Sequence, residues 1–367
     1  MIVGVPREIK SDEKRVAITP TGVMAMVAHG HQVYVESDAG LGSQITNADY
    51  EQAGAKILPT AQDVWSKADM IMKVKEPLAP EYPFMKDKLI FTYLHLAAAE
   101  ELTHEMIKSN CIGVAYETIE LPDRTLPLLA PMSEVAGKLS PQVGAQCLES
   151  ARGGSGILLA GVAGVAPARV TIIGAGVSGQ CACEIAVGMG ALVTIMDINP
   201  NKLRYVHDIH RGKVVTLMSN RGNIEKAVTE SDLVIGAVLV TGAKAPKLVT
   251  EDMVSKMNPG SAVVDISVDQ GGCIETTKAT THSDPIFKVH DVNHYCVANM
   301  PGIVPRTSTY ALTNSTLGYA LELADKGFEK AVADNEPLRK GINIHRGRVA
   351  YKGVAEAWDL EYAPFGG

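Results

Sequence analysis

Short β-branched runs alternate with helix-length segments along this chain, and they do so in two separate series. A chain that puts a helix between successive strands must cross over each time, which builds parallel sheets covered by helices on both faces. In the first series, residues 2–5, 32–36, 69–74, 89–94 and 112–116 read as strands, with helical stretches at 21–28, 48–53 and 98–108. The second starts at Val170, with strands at 170–173, 192–196, 214–218, 233–237, 262–266 and 295–299. Two doubly wound α/β domains are therefore expected, and 367 residues suffice to bury both cores.

Between the series, residues 133–152 carry Val135, Leu139, Val143 and Leu148 near helical spacing, until Gly153, Gly154 and Gly156 break the pattern. A second helical stretch, 307–335, follows the last strand, with Leu312, Leu317, Ala320, Leu321 and Ala324 as its apolar positions. It leads the chain back. The expected first domain is thus discontinuous, 1–128 with 306–367, and 129–305 is inserted between two long bridging helices.

Acidic residues outnumber basic ones by 41 to 34, so nothing drives the chain toward nucleic-acid phosphates. The longest weakly polar stretch, 157–173, is interrupted by Pro167 and Arg169, and no membrane helix is expected. The first ten residues are charged and lack the pattern of a secretion signal. Cys111, Cys147, Cys181, Cys183, Cys273 and Cys296 form no Cys-x-x-Cys pair, against both a zinc ribbon and a disulfide framework. A reducing cytoplasm is the expected location.

Gly174-Ala175-Gly176-Val177-Ser178-Gly179 stands directly after the strand at 170–173 and opens a helix. In that context the first glycine permits a tight turn, the second lets the backbone approach a pyrophosphate, and the third lets helix pack on strand. Asp197 ends the next strand, where its carboxylate can accept hydrogen bonds from ribose hydroxyls. A dinucleotide site of Rossmann type follows. The glycines of 153–164 have neither a preceding strand nor a following Lys-Ser or Lys-Thr, so they read as a connector.

Of ten histidines, His207 with His210 and His290 with His294 have metal-like spacing but lack the Glu or Cys of known zinc patterns, and no metal is expected. His95 ends the strand at 89–94, at the sheet edge where ligands bind, and an imidazole exchanges protons near neutrality. Asp269, just past the strand at 262–266 and beside glycines, is a second candidate. On residues alone, Arg15 reads as part of a solvated loop, and Lys73 and Lys75 as an exposed strand edge.

The chain resembles the alanine dehydrogenase and transhydrogenase α-subunit family over nearly its whole length. The resemblance is carried by Val5-Pro6-Arg7-Glu8, Glu13-Lys14-Arg15-Val16-Ala17, Lys73-Val74-Lys75-Glu76-Pro77, the surroundings of His95 and Pro131-Met132-Ser133-Glu134-Val135-Ala136-Gly137. The Gly174 fingerprint, Met196-Asp197-Ile198-Asn199, 265–272 and Val297-Ala298-Asn299-Met300-Pro301 extend it. It implies oxidative deamination of L-alanine by NAD and water to pyruvate, ammonium and NADH, in a cytoplasmic homo-oligomer, a hexamer, with 307–335 as a contact surface. It also implies that Arg15 and Lys75 bind the substrate carboxylate and that His95 and Asp269 are catalytic. Ser133, Gly174, Gly176, Gly179, Asp197, Lys202, Ser219 and Asn299 are implied to bind NAD. Ala163 and Thr241 stand where relatives commonly have proline. Two other readings compete: the NAD-binding subunit of a proton-translocating transhydrogenase, and a catalytically silent nucleotide-binding protein. His95 and Asp197-Ile198-Asn199 favour the dehydrogenase.

Overall fold

A computed structural model describes residues 1–238 and 245–366, apart from the Gln270 side chain; Thr241 lies outside the described residues. The chain divides into two compact units, Met1–Met132 with Val304–Gly367, and Ser133–Ile303.

In the first unit, β1 (Ile2–Val5), β2 (Gln32–Glu36), β3 (Lys56–Leu58), β4 (Met70–Met72), β5 (Leu89–Thr92) and β6 (Ile112–Ala115) run parallel in the spatial order 6-5-4-1-2-3. The order reverses between β1 and β4, so the crevice at their carboxyl ends is a topological switch point. β4 and β5 are buried along their whole length, as expected of strands covered on both faces. Several helices start on side-chain caps: Thr19 accepts from the Gly22 amide ahead of Pro20–Ala28, and Thr46 and Asp49 form a capping box for Asn47–Gln52.

The second unit repeats the plan. β7 (Arg169–Ile173), β8 (Leu192–Asp197), β9 (Val214–Met218), β10 (Leu233–Gly236) and β11 (Ala262–Asp265) are parallel, β12 (Ile286–Val289) is antiparallel, and β13 (Val292–Tyr295) is parallel to β11. The order 12-13-11-10-7-8-9 puts its switch point between β7 and β10. The final strand lies earlier than the 295–299 expected from sequence. His290 and Asp291, both at positive φ, turn β12 back into β13, and Asn293 and His294 are buried within β13 rather than exposed beside it.

The returning segment adds β14 (Ile342–His345), antiparallel to β6, and β15 (Arg348–Val349), completing an eight-stranded sheet in the first unit. Its long helix is shorter than 307–335: Pro305–Lys326 stops at Gly327, and Phe328–Asp334 is a separate helix. Ile344 and Val349 join Trp65, Ile71, Ile90 and Met106 in one apolar cluster, so the returning strands belong to the core of the first sheet. Both sheets are doubly wound, with mainly parallel strands, as the alternating pattern requires. Among the described residues no helix is long and apolar enough to cross a membrane.

Candidate active site

The carboxyl edge of the first sheet is built around Glu8, just past β1. Its Oε1 accepts from the Val74 amide at 2.6 Å and the Lys75 amide at 3.4 Å, and its Oε2 accepts from Lys73 Nζ at 3.1 Å. Lys73 Nζ lies 2.9 Å from Glu81 as well. The exposed-edge reading of Lys73 is wrong: the side chain is 0% exposed, with two carboxylates compensating its charge. This triad fixes the chain that follows β4 and with it Lys75, whose carbonyl accepts from Thr92 Oγ1 at 3.0 Å. Lys75 is half-buried; burial first, then the nearby Arg15 charge, lowers the proton affinity of its amine.

Arg15 is not in a solvated loop either, being 2% exposed. Glu13 holds it through Nε and Nη2, and Nη1 donates to Met132 Sδ at 3.0 Å. Burial opposes ionisation of Glu13, but the hydrogen bonds and charge of Arg15 outweigh it and hold the carboxyl at about 2. Two cations thus stand together at the switch point.

His95 follows β5 with a left-handed backbone, φ 50°. Its ring stacks on Tyr93 at 5.7 Å between centroids, and the Tyr93 hydroxyl donates to the Leu128 carbonyl. Tyr93 is buried, which pushes its phenol proton affinity up, and it feels the charge of Arg15. Arg15, Lys75 and His95 therefore share one sheet edge, with Tyr93 stacked on His95 and under the charge of Arg15.

In the second unit the glycine loop joins β7 to the helix Val177–Gly188. Gly174 has φ 103°, and a Cβ there would sit 2.5 Å from the Ala237 carbonyl oxygen; one on Gly179 would sit 1.8 Å from that of Gly174. Among the described residues, a Cβ on Gly176 would meet no atom within 4 Å. Close packing at the outer glycines and open space at the middle one fit a pyrophosphate seated on the helix N-terminus. Asp197, at the end of β8, accepts from the Ala175 amide at 2.7 Å and the Asn199 amide at 2.8 Å, with Lys202 Nζ 4.0 Å away. The Ser219 amide donates to the Asp197 carbonyl at 3.0 Å, and the Ser133 carbonyl accepts from Ser178 Oγ at 3.0 Å. Asp269 accepts from the Asn299 amide at 3.1 Å.

His290 and His294 turn to separate partners. His294 Nδ1 donates to the Val292 carbonyl, which leaves Nε2 to accept from Thr276 at 2.8 Å, while His290 pairs with Glu251. Sequence reasoning missed Glu8, Glu13, Glu117 and Asp265 as site-building groups. Asp265 is buried, accepts from the Ser267 and Cys273 amides and from Thr277, and so ties down the loop carrying Asp269. Their signal was available: each lies at or just beyond the carboxyl end of a strand, or beside a basic site residue.

The N-terminal domain of the alanine dehydrogenase/PNT family matches residues 4–136, and the C-terminal domain matches residues 140–352. The chain belongs to this family. An alanine dehydrogenase of Methanococcus maripaludis is 56% identical over 366 residues, covering 99% of this chain and 98% of the relative. Alanine dehydrogenase 2 of Staphylococcus aureus is 56% identical over 364 residues, again 99% and 98%. Among solved structures, an L-alanine dehydrogenase superposes with a TM-score of 0.95 at 49% identity, covering 98% of this chain and 99% of that one. A transhydrogenase from Sinorhizobium meliloti gives 0.81 at 26%, covering 96% and 99%. Within the alanine dehydrogenase/PNT family, this chain is more similar to these dehydrogenases than to that transhydrogenase.

Proposed function

We propose that this chain is an alanine dehydrogenase, interconverting L-alanine, NAD⁺ and water with pyruvate, ammonium, NADH and a proton. The observation that carries the reading is the placement of Arg15, Lys75 and His95 along the carboxyl edge of the first sheet, in a chain 56% identical to alanine dehydrogenases along its length. Arg15 and Lys75 take the substrate carboxylate, Arg15 through its planar fork and Lys75 as a point charge. Bound NAD supplies the acceptor for the hydride of the alanine Cα. His95 takes the proton of the substrate amine and later those of the water that adds to the iminium carbon, returning one to the departing ammonia. Asp269 supports turnover from the second unit, where Ser133, Gly174, Gly176, Gly179, Asp197, Lys202, Ser219 and Asn299 hold the dinucleotide. The Asp197 carboxylate favours NAD over NADP, because a 2′-phosphate beside it sets like charges together. The same reading makes the protein a cytoplasmic homohexamer.

The test follows NADH formation with a panel of L- and D-amino acids. Turnover of L-alanine is expected; NADH binding without turnover of any of them favours the silent nucleotide-binding protein instead.

A further inference from the structure

Asp269 is exposed, so its place is set by the main chain that carries it. Asp265 holds that main chain. It ends β11 and is 0% exposed, yet both of its oxygens are engaged. Oδ1 accepts from the Ser267 amide at 2.9 Å, before Asp269, and Oδ2 accepts from the Cys273 amide at 3.0 Å, after it, and from Thr277 Oγ1 at 2.8 Å. One carboxylate thus closes a loop at both ends. Inside it, the 3-10 turn Val268–Gln270 runs into Gly271 and Gly272, whose φ values of 90° and 69° bring the chain back.

The neighbouring glycines make room for this carboxylate. A Cβ on Gly272 would sit 2.6 Å from Oδ2, and one on Gly236, the partner of Asp265 across β10 and β11, would sit 3.1 Å from Oδ1. Lys247 grips the same loop by its carbonyls, Nζ donating to Gly271 at 2.6 Å and to Ile274 at 2.9 Å. Between these holds, Asp269 Oδ2 accepts from the Asn299 amide at 3.1 Å. A neutral side chain of the same shape cannot replace Asp265. Asparagine sets an NH2 group against the peptide N–H of either Ser267 or Cys273, and a peptide donor, unlike the Thr277 hydroxyl, cannot turn to accept.

We propose that Asp265 is a positioning residue for the reaction, fixing the main chain on both sides of Asp269 so that the Asp269 carboxylate stays on the Asn299 amide and in place for turnover. The proposal rests on the reading of Asp269 as a residue that supports turnover. Two roles of one side chain separate here. As a structural group alone, Asp265 would matter for stability; as a positioning group, it also sets kcat and the protection of the Asn299 amide.

The test compares wild type, Asp265→Asn and Asp269→Ala in kcat for L-alanine and in amide hydrogen exchange of the peptide carrying Asn299, read by mass spectrometry. Retained NADH binding shows that the second unit is folded. Asp265→Asn is expected to lower kcat about tenfold or more, since a misplacement of about 1 Å can cost about 10²-fold. It is also expected to speed exchange at Asn299 toward the rate in Asp269→Ala, because both changes free the same amide. Wild-type kcat, or wild-type exchange at Asn299, in folded Asp265→Asn overturns the proposal. If Asp265→Asn does not fold, Thr277→Val decides, as it removes one donor from Oδ2 and keeps the charge: lowered kcat with faster exchange supports the proposal, and a wild-type value of either overturns it. Normal turnover in Asp269→Ala overturns the reading of Asp269 and the proposal with it. A wild type without alanine turnover overturns the functional reading itself, a result distinct from any difference among the variants.

Discussion

Glu13 grips the Arg15 guanidinium with both of its oxygens, Nε to Oε1 at 2.7 Å and Nη2 to Oε2 at 2.5 Å, and neither side chain reaches solvent. A guanidinium does not lose its proton in a protein, so the partner carboxylate must stay ionised. Removing one member of a buried pair leaves the other charge uncompensated. Glu13→Gln is expected to lower stability by about 3 kcal/mol at pH 7, measured by urea unfolding. The folded carboxyl titrates at about 2, below its unfolded value, so the pair contributes fully above the ordinary glutamate range and its contribution is lost as pH falls toward 2. The gap between variant and wild type should therefore close between pH 5 and pH 2; a gap independent of pH would contradict the assignment.

The glycine loop makes a paired prediction. Gly179→Ala drives a Cβ into the Gly174 carbonyl and should cost at least about 2 kcal/mol of stability. Gly176→Ala meets open space among the described residues, so its melting temperature should stay within a degree or two of the wild type while NADH affinity drops tenfold or more. Thermal unfolding with and without NADH distinguishes them; equal losses of stability at both positions would remove the reason for assigning Gly176 to the dinucleotide.

Lys75 holds its proton less tightly than an exposed lysine because it is half-buried and feels the charge of Arg15. Its ammonium, and with it part of the attraction for a carboxylate, is lost below the usual lysine range. The KM for pyruvate should rise with pH before that range is reached, and Lys75→Arg, which keeps its charge, should flatten the rise. Lys75→Ala should raise this KM at neutral pH in a folded protein. A flat wild-type profile up to pH 10 would speak against Lys75 as a carboxylate ligand.

His95→Ala should lower turnover by about 10²- to 10⁴-fold, the usual loss for a positioned proton-transfer group, and leave NADH binding intact. Near-normal turnover in that variant would reopen the choice of base, with Asp269 the next candidate.

The parts of this molecule written in consecutive residues were legible from sequence. The strand, glycine turn and helix at 170–188 and the acidic end of the following strand form one local pattern, which the structure reproduces around Gly174 and Asp197. The first unit hid its site differently. Arg15 and Lys73 look like solvated charges until their partners are known, and Lys73 takes Glu8 from another strand end and Glu81 from a later turn. β13 was misplaced for a related reason: Asn293 and His294 are polar residues in a buried strand, satisfied by the Cys147 carbonyl and by Thr276. Polarity marks the surface only where no buried partner waits. The two-residue β15 and three-residue β3 are too short for any periodicity to register.

The pairing of β14 with β6 sets a timetable for synthesis. The second unit is complete once Ile303 has left the ribosome, whereas the open side of β6 waits for Ile342–His345. At roughly 5–20 residues per second, that edge stays without its partner for tens of seconds. During this interval the nascent first unit offers an unpaired strand that other chains can join, so the inserted unit is the one that reaches its native form first.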